Sequence, residues 1–479
     1  MKYITLYFQV HQPLRLRTYR FFDIGADHYY YDDYQNKRTT ERIAENCYLP
    51  TNEILLELIK KYGSAFKVCF SITGTAIEQF QKYAPEVIKS FQKLAKTGNV
   101  EFLGETYSHS LASLKYPNEF RRQVKQHSEL MKSLFNYTPT AFRNTELIFS
   151  DQIAEQVWDM GFRTILTEGA KQTLGWKSPN FLYCSAHNEK MKILLRNYQL
   201  SDDISFRFSQ QDWSEWPLTA EKYLQWLNEI NPKQELVNIF MDYETFGEHQ
   251  KAETGIFEFL KAFPQQAIAS GKWSFKTPSE VAVELSPVAS ISVDYPISWA
   301  DEEKDLTAWL GNDMQKDAFE SLYSLADIME YCDDAELVND WNHLQVSDHF
   351  YYMCTKWFSD GMVHHYFSPF DSPYNASINY MNIISDFIER VKQYQKDNPK
   401  GKAKIKDDAP IVPASAYSKK PKIDKTAIKE TSKKTPVKAE KKATPVKAEK
   451  KKTTTTAASK TKSATTKKTT STKKATPKK

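Results

Sequence analysis

The sequence predicts an α/β protein built on a mainly parallel sheet or barrel, followed by a helical region and a disordered tail. Three observations predict this. Short runs rich in β-branched and aromatic residues alternate with amphipathic stretches over about 280 residues, the pattern of strand–helix–strand crossovers. After Pro278 helical patterns dominate, with few strand-like runs between them. From about Pro399 onward the chain is Lys, Thr, Ala and Pro.

In chain order, strand-like runs fall at 3–10, 66–72, 100–103, 141–144, 164–167, 191–196 and 236–241. Between them, apolar residues recur at helical spacing over 51–62, 76–97, 118–135, 150–160 and 220–230. Further on, 316–331, 334–345 and 376–397 read as helices. This divides the chain into an α/β body at 1–285, a helical region at 286–397 and a tail at 398–479. The tail carries a tandem repeat, "TPVKAEKKA" from Thr435 and "TPVKAEKKK" from Thr444, and has almost no aromatics. Such a segment buries too little apolar surface to offset the entropy of ordering.

The formal charge of +5 conceals a strong asymmetry. From Gly401 to Lys479 there are 25 Lys, no Arg and 6 acidic residues, a net +19, which leaves the rest of the chain at −14. The body is therefore no nucleic-acid binder on charge grounds. The tail can neutralise phosphates without selectivity, but it has no Arg for base edges and no platform for stacking. A loose polyanion contact is the most it implies. The five cysteines (Cys47, Cys69, Cys184, Cys332, Cys354) form no CxxC pair, which fits a reducing compartment and no structural zinc. The start, "MKYITLYFQVHQP", reads as a strand rather than a signal peptide, and no apolar segment approaches the roughly 20 residues of a membrane span. A cytoplasmic protein without membrane contact is expected.

In parallel α/β barrels reactive groups gather where strands end. Here His11-Gln12-Pro13 follows the first run, and Gly104-Glu105-Thr106-Tyr107-Ser108-His109 the third. Thr145-Glu146 follows the fourth, and Asp242-Tyr243-Glu244 the seventh. Each has a plainer reading: His11 and His109 as satisfied structural imidazoles, Glu146 as an acid favoured by a helix N-terminus, Asp242 as an N-cap or salt-bridge partner. Asp242 and Glu244 share a face if the strand continues. Two carboxylates at one mouth are what glycoside hydrolysis needs, one as acid and one as nucleophile or base, about 5–5.5 Å apart with retention or about 6.5–9.5 Å with inversion. Aromatic loops supply flat faces for sugar rings, with Trp176, Trp213, Trp216, Trp299 and Trp309 as candidates.

The segments "HQP", "VEFLGETYSHSLASL", "AFRNTELIFS", "FMDYETFGEHQ" and "SWADEEKDLTAWLGN" occur in the order of the five signature regions of glycoside hydrolase family 57, and over residues 1–395 the chain most resembles its α-amylase branch. The resemblance implies a (β/α)7 barrel with a helical bundle that completes the active site. It implies action with retention on α-1,4-glucans such as starch, glycogen or maltooligosaccharides, with no metal or other cofactor. Glu146 is the implied nucleophile and Asp242 the implied general acid/base. His11, Glu105, His109, Trp299, Asp305 and Trp309 are the implied substrate contacts, and Glu244 is read as a binding or orienting residue. Transfer to a sugar acceptor on the same site would make a 4-α-glucanotransferase or a branching enzyme. A metal-dependent polysaccharide deacetylase and a non-catalytic glucan-binding protein are the rival readings. His11 has no adjacent carboxylate and no HxxxH pair accompanies Asp242, which disfavours zinc.

Overall fold

All seven predicted runs form strands in the computed structural model, which describes residues 1–356, 368–399 and 409–417. They are β1 (Lys2–Val10), β2 (Val68–Ile72), β3 (Val100–Phe102), β4 (Ala141–Arg143), β5 (Thr164–Glu168), β7 (Lys192–Arg196) and β8 (Leu236–Asp242). Three short strands complete the set: β6 (Leu182–Ser185), β9 (Trp273–Phe275) and β10 (Ser290–Ile291).

Two parallel ladders, β8-β1-β2-β3 and β4-β5-β7, form the wall. They join at two seams. At one, Gly104 and Phe142 form a parallel bridge, with Gly104 N–H donating to Ala141 O and Arg143 N–H to Gly104 O, both at 2.9 Å. At the other, Asn197 N–H donates to Asn238 O and the Asn238 side-chain amide to Leu195 O, again both at 2.9 Å. The result is a (β/α)7 barrel. Gly104 is required at its seam, because a Cβ there would stand 2.6 Å from the Phe162 ring. Toward the amino ends of the strands, β9 pairs with β1 over Lys2–Ile4 and β6 runs antiparallel to β7.

Side chains alternate across each strand, so one face of every strand looks into the barrel. Tyr7, Cys69, Ala141, Leu166, Leu194 and Phe240, from six strands, meet in one small buried cluster that fills the interior. A polar layer follows it toward the carboxyl ends: Tyr7 Oη donates to Gln9 Oε1 at 2.7 Å, and Gln9 Nε2 donates to Glu105 Oε2 at 3.3 Å.

The helical region packs against β4 and β5. Phe142, Ile148, Phe149 and Ile165 share a core with Trp309, Phe319, Trp341 and Phe387. Its helices span Thr307–Leu310, Asp313–Tyr323, Ala326–Met329, Ala335–Leu344, Ser347–Tyr351 and Pro373–Asp397. The predicted helix at 76–97 is two helices, Gly74–Tyr83 and Pro85–Ala95. Pro85 has no N–H to continue the ladder and pushes Ala84 out of the helical region, to φ −147°, ψ 60°. Helices at Asp33–Ile43, Tyr198–Ser205 and Ile256–Ala269 were not in the sequence reading.

The described residues belong to one compact unit, and the repeat-bearing tail beyond Tyr417 lies outside the described residues, as do His364 and His365, two adjacent histidines in the predicted helical region. The predicted tail boundary at 398 needs correction. Ile411 and Val412 donate backbone N–H groups to Met160 O at 2.8 and 3.1 Å, Val412 is buried, and Tyr417 Oη donates to Gly161 O at 2.8 Å. Residues 409–417 thus dock on the loop before β5, using the apolar Ile-Val pair that the Lys-rich composition hides. Among the described residues, no helix is long and apolar enough to cross a membrane.

Candidate active site

The strand ends converge as expected. A cleft of about 920 Å³ opens over the carboxyl end of the barrel, lined by Gln9 and His11 at the end of β1, His109 after β3, Glu146 after β4, and Asp242 and Glu244 at the end of β8. The helical region closes one side with Trp299, Trp309, Asp348 and Tyr351. Backbone strain gathers around it. His109, Glu146, Leu147, Asp301 and Lys304 all hold φ between 52° and 55°, a left-handed conformation that costs a non-glycine residue about 1–3 kcal/mol.

Glu146 lies in a single turn after β4, and its carboxylate is held at both oxygens. His109 Nε2 meets Oε1 at 2.8 Å and Trp299 Nε1 donates to Oε2 at 2.6 Å. The left-handed turn at Glu146 presents its carbonyl to Trp299 N–H, at 3.2 Å, which ties the loop to the carboxylate it serves. Two guanidinium groups lie against the Trp299 indole, Arg143 at 4.9 Å and Arg196 at 5.6 Å from its ring centre. Burial acts to raise the Glu146 pKa, but His109, Arg143 and the Trp299 hydrogen bond outweigh it and hold the carboxyl below its ordinary value.

Asp242 is the last residue of β8, opposite Gln9 in the ladder. Its environment is the reverse of that around Glu146. Among the described residues no hydrogen bond reaches its carboxyl, which stands partly open to the cleft. Burial in the cleft floor and the negative charge of Glu146 raise its pKa to about 6, against the opposing pull of Arg143, His109 and Arg196. One carboxylate is fixed as an anion and its neighbour is poised to carry a proton, the division expected of an acid and nucleophile pair.

Glu244 does not continue the strand face. The chain turns into a single 3₁₀ turn at Tyr243–Thr245, which carries Glu244 to Tyr48 and Gln12. Tyr48 Oη donates to Glu244 Oε1, as does Gln12 Nε2 at 3.2 Å. Burial and the Asp242 charge raise the Glu244 pKa to about 8. Gly247 in the same segment is required by close packing: its φ is 102°, and a Cβ would stand 2.0 Å from Asn46 O.

Two histidines stack at the mouth, His11 on His109, with ring centres 4.1 Å apart. His109 lies between Glu146 and Glu105, with its Nδ1 3.6 Å from Glu105 Oε2, and these acids raise its pKa to about 9 against the effect of burial. His11 has both nitrogens engaged, Nδ1 with Thr73 Oγ1 and Nε2 with Asp348 Oδ2, each at 3.0 Å. Thr73 hydroxyl donation to Nδ1 leaves Nε2 as the protonated nitrogen facing Asp348. Burial and the neighbouring His109 keep His11 below its ordinary pKa.

Three expectations change. Glu105 is fully buried and does not line the cleft, so it sits behind His109 and cannot touch substrate. Asp305 does not line the cleft either: its Oδ1 accepts from Thr307 N–H at 2.8 Å and Thr307 Oγ1 at 2.6 Å, at the start of the helix Thr307–Leu310. Trp176 is 94% exposed away from the cleft, and Trp213 and Trp216 do not line it, so only Trp299 and Trp309 of the five tryptophans do. The sequence reading missed Asp348, Arg143, Arg196 and Tyr351. Arg143 interrupts an apolar run with a charge, a signal that was there to be read; Asp348 sits in "SDHFYYM", where nothing local marks it. Among the described residues no three His, Cys, Asp or Glu side chains gather as a metal site.

A family model described as Glycosyl hydrolase family 57 matches residues 5–294. A Methanocaldococcus jannaschii protein named "Putative alpha-amylase" is 45% identical over 406 residues, covering 81% of this chain and 85% of its own length. Among solved structures, a branching enzyme from Thermococcus kodakaraensis superposes with a TM-score of 0.60 at 11% identity, covering 86% of this chain and 97% of the other. An alpha-amylase from Thermotoga maritima gives 0.54 at 13%, covering 83% and 97%. A 4-alpha-glucanotransferase from Thermococcus litoralis gives 0.56 at 14%, covering 80% of this chain but only 59% of that longer enzyme. At these identities the structural likenesses show a shared fold.

Proposed function

Because the chain belongs to glycosyl hydrolase family 57, we propose that it cleaves α-1,4-glucans with retention, as an α-amylase-like enzyme, using Glu146 as nucleophile and Asp242 as general acid/base. The observation that carries this reading is the pair itself: two carboxylates in one open cleft, Glu146 held at both oxygens by His109 and Trp299, and Asp242 with its pKa raised by burial and by the Glu146 charge. The barrel at 1–285 supplies the pair, and the region at 286–397 supplies Trp299 and Asp348.

The proposed reaction has two halves. In the first half, Asp242 gives its proton to the glycosidic oxygen as the bond to the anomeric carbon breaks. Glu146 forms an ester to that carbon. Ester formation removes the Glu146 charge, which is one of the causes raising the Asp242 pKa. Asp242, now a carboxylate with a lowered pKa, takes a proton from water as that water attacks the anomeric carbon and frees Glu146. His109 and Trp299 hold the Glu146 oxygens throughout, so little reorganisation is needed at the moment of attack. Trp309, Tyr351 and Tyr352 give the cleft wall aromatic surface for sugar faces. With five free buried cysteines, the reading places the enzyme in the reducing cytoplasm.

Maltoheptaose tests the proposal. Shorter products alone, lost in both Glu146→Gln and Asp242→Asn, support hydrolysis by this pair. Longer products as well would reassign the site to 4-α-glucanotransfer, and new branch points to a branching enzyme. Near-normal turnover in either variant would remove that residue from the pair.

A further inference from the structure

Two guanidinium groups lie against the Trp299 indole, and they are held in opposite ways. Arg196 is anchored: its Nη1 pairs with Glu168 at 3.0 Å, its Nη2 with Asp202 at 2.5 Å, and its Nε donates to Phe240 O at 2.8 Å. Arg143, the last residue of β4, is fully buried, and among the described residues none of its three side-chain nitrogens has a hydrogen-bond partner. Packing alone does not explain it, because a buried charge without a partner is costly and an apolar side chain of similar volume avoids that cost. A long-range field does explain it, because a charge unneutralised by any ion pair acts in full on its neighbours in a low-dielectric site.

Resting on the reading above, we propose that Arg143 is a positioning residue for glucan cleavage. Its unpaired guanidinium, 4.9 Å from the ring centre of the indole that binds Glu146, is a fixed positive charge that keeps Glu146 ionised and ready to attack. The groups that share its surroundings come from every element around it. Glu146 faces Arg143, His109 and Trp299 N–H, with Asp242 and Tyr351 across the cleft. Asp242 faces Glu146, Arg143, His109, Arg196 and Glu244. Tyr7 and Glu105 approach Arg143 from the interior. Arg143 acts on Glu146 and Asp242 in the same sense, favouring the carboxylate in each. Removing its charge therefore displaces both carboxyl groups upward together. Loss of mere packing would lower the rate without displacing either.

The test is the pH dependence of kcat/KM on maltoheptaose for the full chain and for Arg143→Met, Arg143→Gln and Arg143→Lys, with thermal melts as the folding control. In the neutral variants both limbs of the profile move to higher pH by about one pH unit or more, as expected when a close opposite charge is lost. Activity on the acid limb then falls about tenfold or more, and the share of activity retained on the alkaline side rises. Arg143→Lys keeps the charge and both limbs near their wild-type positions. Arg143→Gln is the smaller perturbation and decides the matter if Arg143→Met does not fold. Unmoved limbs in a folded neutral variant would overturn the proposal, as would Arg143→Lys shifting as far as Arg143→Met. A wild type inert on maltoheptaose would overturn the parent reading, and this one with it.

Discussion

Trp299→Phe isolates one hydrogen bond at the reaction centre. Phenylalanine keeps an aromatic ring beside Arg143 and Arg196 and leaves the backbone contact from residue 299 to Glu146 O in place. Along with the second ring of the indole, it removes the N–H that donates to Glu146 Oε2 at 2.6 Å. A hydrogen bond to an ionised acceptor contributes about 1.5–3 kcal/mol, and 1.36 kcal/mol corresponds to one pKa unit. The Glu146 pKa therefore rises by about 1–2 units. Glu146 must be ionised to attack, so the acid limb of kcat/KM moves upward by that amount, and activity on that limb falls about 10- to 100-fold. No charge is lost, so the alkaline limb, set by Asp242 near pH 6, stays where it is. A pH series on maltoheptaose from 3.5 to 8, with circular dichroism at each end, reads both limbs. An unmoved acid limb in the folded variant would refute the reasoning, and so would an alkaline limb that moved with it.

Glu105 supports His109 from a position no sugar can reach, so Glu105→Gln lowers kcat about 10-fold or more and leaves KM within about twofold; a rise in KM with unchanged kcat would return Glu105 to the substrate contacts. Glu244 carries a folded-state pKa of about 8, above the ordinary carboxyl value near 4.5, so folding favours its protonated form. Its contribution is fully present below pH 4.5 and is lost as pH rises through 8. Glu244→Gln, neutral throughout, should gain on the wild type by a few kcal/mol between pH 5 and 9 in melts followed by circular dichroism, and a Tm difference constant with pH would contradict this. Truncation after Tyr417 leaves Tm unchanged, whereas truncation after Asn398 removes the buried Val412 and its backbone bonds and costs about 2–4 kcal/mol; equal melting of the two would show that the 409–417 segment contributes nothing.

Much of the barrel was legible because its signals are local. Each strand is a short apolar run bounded by polar residues, and the seven runs are the seven barrel strands. What escaped was set by tertiary context. Strands β6, β9 and β10, two to four residues long, exist because a neighbouring ladder accepts them. The Pro85 break was a local signal overlooked inside a long amphipathic stretch. At the site, Glu146 and Asp242 announced themselves as charges directly after apolar runs. Glu105 had the same appearance, yet its side chain lies in the buried layer behind His109, and no spacing in the chain distinguishes the two faces. Asp348 reaches His11 across 337 residues, a pairing that only the packing of the helical region on the barrel creates.

The central claim, that Glu146 attacks and Asp242 manages the proton, is tested most directly by trapping. An α-maltosyl fluoride needs little acid assistance to leave, so Asp242→Asn should still form the glycosyl ester but lack the base that hydrolyses it. Peptide mass spectrometry of that variant after brief incubation should find the maltosyl mass on the peptide containing Glu146. A maltosyl adduct on any other residue, or rapid fluoride release by Glu146→Gln, would contradict the account.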